Sequence, residues 1–230
     1  AYLPKVPRRR RGFDFFGFAM LSLGVGALQL MLDRGGEVDW FSATEIWLEL
    51  GLSLTGFWVF AIHLLSNEDT FIDPSIFRDR NFVTGLVFIF VVGVILLASL
   101  ALLPPMLANL FNHSTILTGL VMAPRGVGTM ISMLIVGRLV RVVDARALVV
   151  TGLLLTAWSL HMMTGFTPQM DDHLIIWSGV IQGLGLGLVF VPLSTVAFAT
   201  LPTHQRTDAA SLFSLVRNIG SSIGISIVTV

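Results

Sequence analysis

Cysteine is absent from this chain of 230 residues, and tyrosine occurs once. Without a thiol there is no disulfide, no cysteine-ligated metal and no thiolate nucleophile. Charge is scarce as well: Asp, Glu, Lys and Arg supply 12% of residues, roughly half the share usual in soluble domains. No Gly-rich phosphate-cradling loop occurs and no serine is read as a nucleophile elbow, which argues against ATP-driven pumps and hydrolases. None of the five histidines has a partner at metal-ligand spacing, so no metal site and no cofactor is assigned. An enzyme is not expected, nor a nucleic-acid partner.

What is there is apolar: 54% of residues are hydrophobic, and the mean hydropathy is +0.85. Seven runs stand out, at Phe13–Leu32, Ile46–Leu65, Phe82–Leu102, Thr115–Val136, Ala147–Phe166, Leu174–Ala199 and Ala209–Val230. Each is near the ~20 residues that cross a bilayer as a helix. With no water in the bilayer to satisfy backbone groups, runs of this length must be helical, and no alternating membrane-strand pattern is present. The expected class is therefore an all-α, polytopic membrane protein with about seven transmembrane helices. Eleven of the 14 Lys and Arg residues precede the first run or fall in the second, fourth and sixth loops, and only Arg34 lies in the others. Basic residues in short loops stay cytoplasmic, so the N-terminal end is expected inside the cell. Because the chain starts without Met and stops inside a run at Val230, we expect a piece of a longer protein.

The connections carry their own signals. Gly137 to Arg146 is a short cationic turn, with Arg138, Arg141 and Arg146, between two runs that are expected to be antiparallel neighbours. In the first loop, Trp40, Phe41 and Trp47 suit an interfacial aromatic belt, and Glu45 and Glu49 are expected in solvent. Asp73-Pro74 is expected to start a short surface helix, with Ile76 and Phe77 on the membrane and Arg78 towards water. Pro104-Pro105 is expected to end the third span. Asp14 and Asp208, at the starts of spans, suit helix capping and the N-terminal dipole.

Two arginines fall inside spans, where a charge normally faces protein or a water-filled cavity. Arg125 follows Pro124 and precedes Gly126, a place where broken backbone and a cation together point to a translocation path. Arg217 has two readings: a cavity cation that holds a substrate or a proton-linked carboxylate, or a side chain that locks two helices through backbone carbonyls. Gly179, Gly183 and Gly187 recur every four residues on one face, with Pro192 beyond, and Gly220 and Gly224 form a second small-residue face. Such faces allow close packing or sliding of helices, and the proline offers a kink.

Several stretches resemble one family. The spacing Gly137-x-Leu139 to Arg146 resembles the loop that major facilitator transporters repeat in each half, where it acts as a charged latch on helix rocking. Arg141 and Asp144 stand where the fuller motif has Asp and Gly, as in its weaker second-half copy. Leu28 to Gly35 with Asp39-Trp40-Phe41 is similar to the loop between the two central extra helices of the EmrB/QacA family, fourteen-span drug–proton antiporters. Phe77-Arg78-x-Arg80-Asn81-Phe82 resembles the entry to its ninth span. Ile181-Gln182-Gly183 with Pro192-Leu193-Ser194-Thr195 resembles the twelfth, and Arg217-x-x-Gly220-Ser221-x-Ile223-Gly224 the thirteenth.

The resemblance implies a partial major facilitator fold. Residues 1–81 would hold the basic lead-in, two linking helices and the amphipathic elbow; residues 82–230 would hold five helices of a truncated C-terminal half. It implies export of hydrophobic, often cationic, drugs in exchange for protons across the bacterial inner membrane. A periplasmic adaptor and an outer-membrane channel are the partners of the EmrB branch. Arg125, Arg217, Pro124 and Gln182 would then line the substrate or proton pathway. A non-transporting receptor or scaffold of the same fold, and an uptake carrier for a small solute, remain open from the residues.

Overall fold

A computed structural model describes residues 14–67, 70, 72–167 and 170–229. The basic lead-in, Lys5 and Arg8 to Arg11, lies outside the described residues, as do Phe13 and Val230. Seven helices are long and apolar enough to span a membrane. They are α1 (Phe15–Arg34), α2 (Thr44–Ser66), α3 (Arg80–Asn109), α4 (Thr115–Leu139), α5 (Ala145–Met163), α6 (Asp172–Ala199) and α7 (Arg206–Thr229). Among the described residues there is no strand, and each helix sits on one of the seven apolar runs. The all-α membrane reading holds.

Local chemistry sets where the helices begin. The first N–H groups of a helix have no intrahelical acceptor, and four starts supply a side-chain oxygen. Asp14 accepts from the Gly17 N–H at 2.8 Å, Asp79 from Phe82 at 2.9 Å, Ser114 from Leu117 at 3.3 Å and Asp144 from Arg146 at 2.9 Å. Asp208 lies in the first turn of α7.

The chain divides into two compact units, residues 1–75 and 76–230. In the first, α1 and α2 form a hairpin with backbones in close approach: a Cβ on Gly56 would stand 2.6 Å from the Gly24 nitrogen. At one end Asp14 and His63 meet, with the His63 Nε2 at 3.0 Å from the carboxylate and Nδ1 at 2.8 Å from the Asn67 amide nitrogen. At the other end Arg34 pairs with Glu45 at 3.2 Å. Trp47 donates from Nε1 to the Phe41 carbonyl at 2.9 Å. Glu49 departs from expectation, because its Oε2 is buried without a partner.

The second unit is organised on α6, which packs against α3, α4 and α5, while α7 packs on α3. The contacts are made largely by backbone and small side chains. A Cβ on Gly183 would fall on the Arg125 carbonyl and 2.9 Å from the Thr129 nitrogen. On Gly187 it would lie 2.6 Å from Ser132, and on Gly185 2.6 Å from the Thr156 hydroxyl. Thus α6 presents glycine to α4 on one side and to α5 on another. Interhelical hydrogen bonds fasten the same interfaces: Ser132 donates to the Leu184 carbonyl at 2.7 Å and Ser159 to the Ser178 carbonyl at 2.7 Å. On α7, a Cβ on Gly220 or Gly224 would fall on the Phe90 or Val94 carbonyl of α3. Pro192 is buried inside α6.

Three expectations are corrected. First, α4 and α5 are not packed neighbours, although only residues 140–144 join them; α6 separates them, because both turn their small residues to its glycines. Gly137, Arg138, Arg141, Asp144 and Arg146 lie exposed at and beside this turn. Second, α3 runs through Pro104-Pro105 to Asn109. Proline keeps a helical φ but loses its own N–H bond and crowds the carbonyl four residues back, and fully buried Leu107 anchors the turn beyond. Third, the short helix starts at Pro74 as expected, with Asp73 accepting from the Ser75 N–H at 3.0 Å, but it is a 3-10 helix over Pro74–Arg78 that does not lay Ile76 and Phe77 on one face. Ile76 is fully buried, while Phe77 is exposed.

Two predictions follow from the packing and capping. Gly183→Leu forces a side chain into the α4 backbone and should destabilise the detergent-solubilised protein by about 1–3 kcal/mol or more. Gly126→Leu, where nothing lies within 4 Å of the added Cβ, should leave the thermal melting point nearly unchanged. For Asp79, a hydrogen bond from the Thr200 side chain and the Phe82 and Asn81 N–H groups hold the carboxyl below its ordinary pKa, against desolvation. Its contribution is complete above the unfolded pKa and is lost as pH falls through the lowered folded value. Asp79→Ala should cost about 1 kcal/mol near neutral pH, and the gap between the melting curves should close as the pH is lowered.

Candidate functional site

Arg125 sits in the middle of α4, one residue after Pro124, and is 7% exposed. Its backbone is pressed against α6: a Cβ on Gly179 would lie 3.4 Å from the Arg125 Cβ, and one on Gly183 would strike its carbonyl. The side chain reaches α3, where Nη2 donates to the Leu96 carbonyl at 3.4 Å. Nη1 is buried without a partner. Among the described residues no carboxylate lies within ion-pair distance of this guanidinium.

Next to it α3, α4 and α6 line an open cleft of about 710 Å³. Its walls are apolar and flexible: Leu96 and Leu100 from α3, Met122, Met130, Met133 and Leu134 from α4, Leu186 and Phe190 from α6. Arg125 and Thr129 are its polar members, and the Thr129 hydroxyl already donates to the Arg125 carbonyl at 3.0 Å. A guanidinium in such walls is a strong hydrogen-bond donor in a poorly hydrated place, where electrostatic interactions are less screened than in water.

Gln182 of α6 is fully buried; its Nε2 donates to the Ser99 hydroxyl of α3 at 3.1 Å, and its Oε1 has no partner. Ser99 in turn donates to the Ile95 carbonyl at 2.8 Å. Arg125 and Gln182 therefore both tie to α3 within one turn, at Leu96 and Ser99, but Gln182 and Pro124 do not line the cleft. Arg217 is not brought to it either. It is half-buried on α7, and its backbone carbonyl meets Gly93 of α3. Gly179 and Gly183 shape the site by admitting the Arg125 backbone.

Sequence reasoning missed Ser99 and the methionines. Ser99 was visible as a rare polar residue in the third apolar run, whereas nothing sets the methionines apart from the other apolar residues of theirs. It also missed His113, whose Nε2 lies 3.4 Å from Asp172 beside the Leu107, Val121 and Ile175 cluster. Gly220-Ser221-Ser222-Ile223-Gly224 has nucleophile-elbow spacing, but Ser222 lies inside α7 and donates to the Asn218 carbonyl at 3.1 Å. No strand leads into it, so the strained turn that exposes such a serine is not formed.

The family model of the Major Facilitator Superfamily matches residues 5–225. The chain belongs to that superfamily. It is 33% identical to the multidrug export protein EmrB of Escherichia coli K12 over 221 residues, 96% of this chain and 43% of that protein. It is 32% identical to the fatty acid resistance protein FarB of Neisseria gonorrhoeae over 217 residues, 94% of this chain and 43% of that one. Likeness to the EmrB protein of Haemophilus influenzae is 32% over 217 residues, 94% and 42% of the two chains. The EmrB resemblance read from the residues is thus borne out. This facilitator chain spans less than half the length of those relatives.

The polar node makes a testable distinction. Replacing Ser99 by Ala strands the Gln182 Nε2 and should cost about 1–2 kcal/mol, because an unmet buried donor bears its full desolvation penalty. Gln182→Met removes a group that is already half unsatisfied and should cost less than Ser99→Ala. Thermal unfolding of both variants in detergent measures the order.

Proposed function

We propose that this facilitator chain is part of a secondary multidrug exporter that exchanges drug for protons across the bacterial inner membrane. Two helix bundles would rock about a central site, so that the site faces each side of the membrane in turn. One observation carries the reading: a roomy apolar cleft at membrane depth is lined by the largely buried Arg125, which has no carboxylate within ion-pair distance among the described residues. Charges at that depth are costly and mark pathways for substrates or ions. The EmrB relatives, named as multidrug export proteins, support the same assignment.

In this proposal Arg125 contacts the transported molecule, and Pro124 and Gln182 position it. Arg217 belongs to the pathway on the residue pattern alone. Gly179, Gly183, Gly187, Gly220 and Gly224 are the packing and sliding surfaces, with Pro192 as the hinge. Gly137, Arg138, Arg141, Asp144 and Arg146 form the cytoplasmic latch. The linking segment is residues 1–81 and the transporter half is residues 82–230. The N-terminal end is cytoplasmic, as the distribution of basic residues supports. A periplasmic adaptor and an outer-membrane channel complete the export route.

In the full-length protein, Arg125→Ala should reduce drug resistance to that of cells lacking the transporter, at unchanged membrane abundance. Retained resistance removes Arg125 from the pathway. In proteoliposomes, dye movement should follow an imposed proton gradient, and absence of proton-coupled flux would favour a receptor or scaffold.

A further inference from the structure

We infer that Arg125 and Gln182 are exchange partners. In the arrangement described both are tied to α3; when the middle of α3 draws away from α4 and α6, they pair with one another. The opening of α3 is then a switch between two sets of hydrogen bonds. The inference rests on the export reading only in giving this movement a place in a transport cycle.

Each partner is left half unmet. Arg125 uses Nη2 on the Leu96 carbonyl at 3.4 Å, and its Nη1 is a buried donor with no partner. Gln182 uses Nε2 on the Ser99 hydroxyl at 3.1 Å, and its Oε1 is a buried acceptor with no partner. One spare atom gives a hydrogen and the other takes one, so a bond between them satisfies both at once. The ties to α3 hold them apart. Leu96 and Ser99 are three residues apart, about 4.5 Å along the helix axis, and each draws its partner to its own height.

The helices are grouped as the exchange requires. Arg125 is fixed against the helix that carries Gln182, because a Cβ on Gly179 would lie 3.4 Å from its Cβ and one on Gly183 would strike its carbonyl. The two residues therefore keep their spacing when α3 moves. Helix α3 belongs with α7 instead: Gly220 and Gly224 admit the Phe90 and Val94 carbonyls, and Ser221 donates to the Gly93 carbonyl at 3.3 Å. It meets α6 directly near its start, where a Cβ on Gly85 would stand 2.6 Å from the Ala197 Cβ, and near its end, where Leu107 joins Val121 and Ile175. Between these points, among the described residues, the side-chain hydrogen bonds from α4 and α6 to α3 are those of Arg125 and Gln182. Pro104-Pro105 interrupts the α3 ladder between Ser99 and Leu107, and proline is where helices bend. The segment before the prolines can tilt while Leu107 stays seated.

The test uses the full-length protein in lipid nanodiscs, with cysteine elsewhere replaced. Spin labels are placed at Val91→Cys on α3 and Leu154→Cys on α5, both exposed positions. Pulsed dipolar spectroscopy, without drug or proton gradient, gives the populations of short and long separation. Gln182→Glu makes the bond to Arg125 a charge-assisted one, so the long population should rise about tenfold relative to the short. Ser99→Ala removes a tie of the first set alone and should raise it too. Adding Arg125→Gln to Gln182→Glu should return the ratio towards that of the native protein. Thermal melting establishes that the variants are folded, and side chains that merely fill space would lower the melting point without moving the ratio. An unmoved ratio in Gln182→Glu overturns the inference. So does a rise that survives in the double variant, or a single separation in every variant. Proton-driven efflux judges the export reading separately: flux without the exchange sinks only this inference, and exchange without flux sinks only the export reading.

Discussion

The five-helix unit depends on how closely α6 approaches α4 and α5. Lipid tails are as apolar as leucine, so hydrophobic burial alone gives membrane helices little reason to associate. Contact must come instead from dispersion between well-fitted surfaces and from hydrogen bonds that lipid cannot provide. Helix α6 meets both needs. Gly183 and Gly187 let the α4 backbone touch it, Gly185 does the same for α5, and Ser132 and Ser159 donate across the two seams. The Asp79 cap adds a tie between the start of α3 and Thr200 at the end of α6.

The candidate site is a by-product of that packing. Because glycine on α6 admits the Arg125 backbone, the long side chain has room only along the helix surface towards α3, where Leu96 offers a carbonyl. Gln182 makes the corresponding reach from α6 to Ser99. The same three helices that exclude lipid thus bring polar groups together and leave a hollow beside them. Burying an unsatisfied donor is costly, and the Arg125 Nη1 is one that the described residues leave unmet.

Most of the fold was legible in the residues, because the bilayer admits few alternatives. An apolar run near the length of a span can only be a helix, and the seven runs gave seven helices. Asp14 caps its helix as expected, whereas the caps Asp79, Ser114 and Asp144 were not singled out in the sequence. What was not legible is lateral order. Hydropathy says that α4 and α5 cross the membrane; it does not say that α6 stands between them, since adjacency depends on which small-residue faces match. Pro104-Pro105 misled for a related reason. A proline rule is local, while the extra turns of α3 are held by Leu107 in a tertiary cluster with Val121 and Ile175. The site was half visible: Arg125 announces itself as an isolated charge, whereas the distance of Arg217 from the cleft depends on rotation about α7, which a symmetric-looking apolar run does not fix.

A seam built from backbone and glycine has few side chains that can change rotamer. When one helix is pushed, a seam of leucines can absorb the displacement by repacking, whereas a seam of glycine against backbone passes it on as movement of whole helices. In the trio of α4, α6 and α5, the backbone that carries Arg125 is itself part of the seam, so a shift of that residue is a shift of the seam.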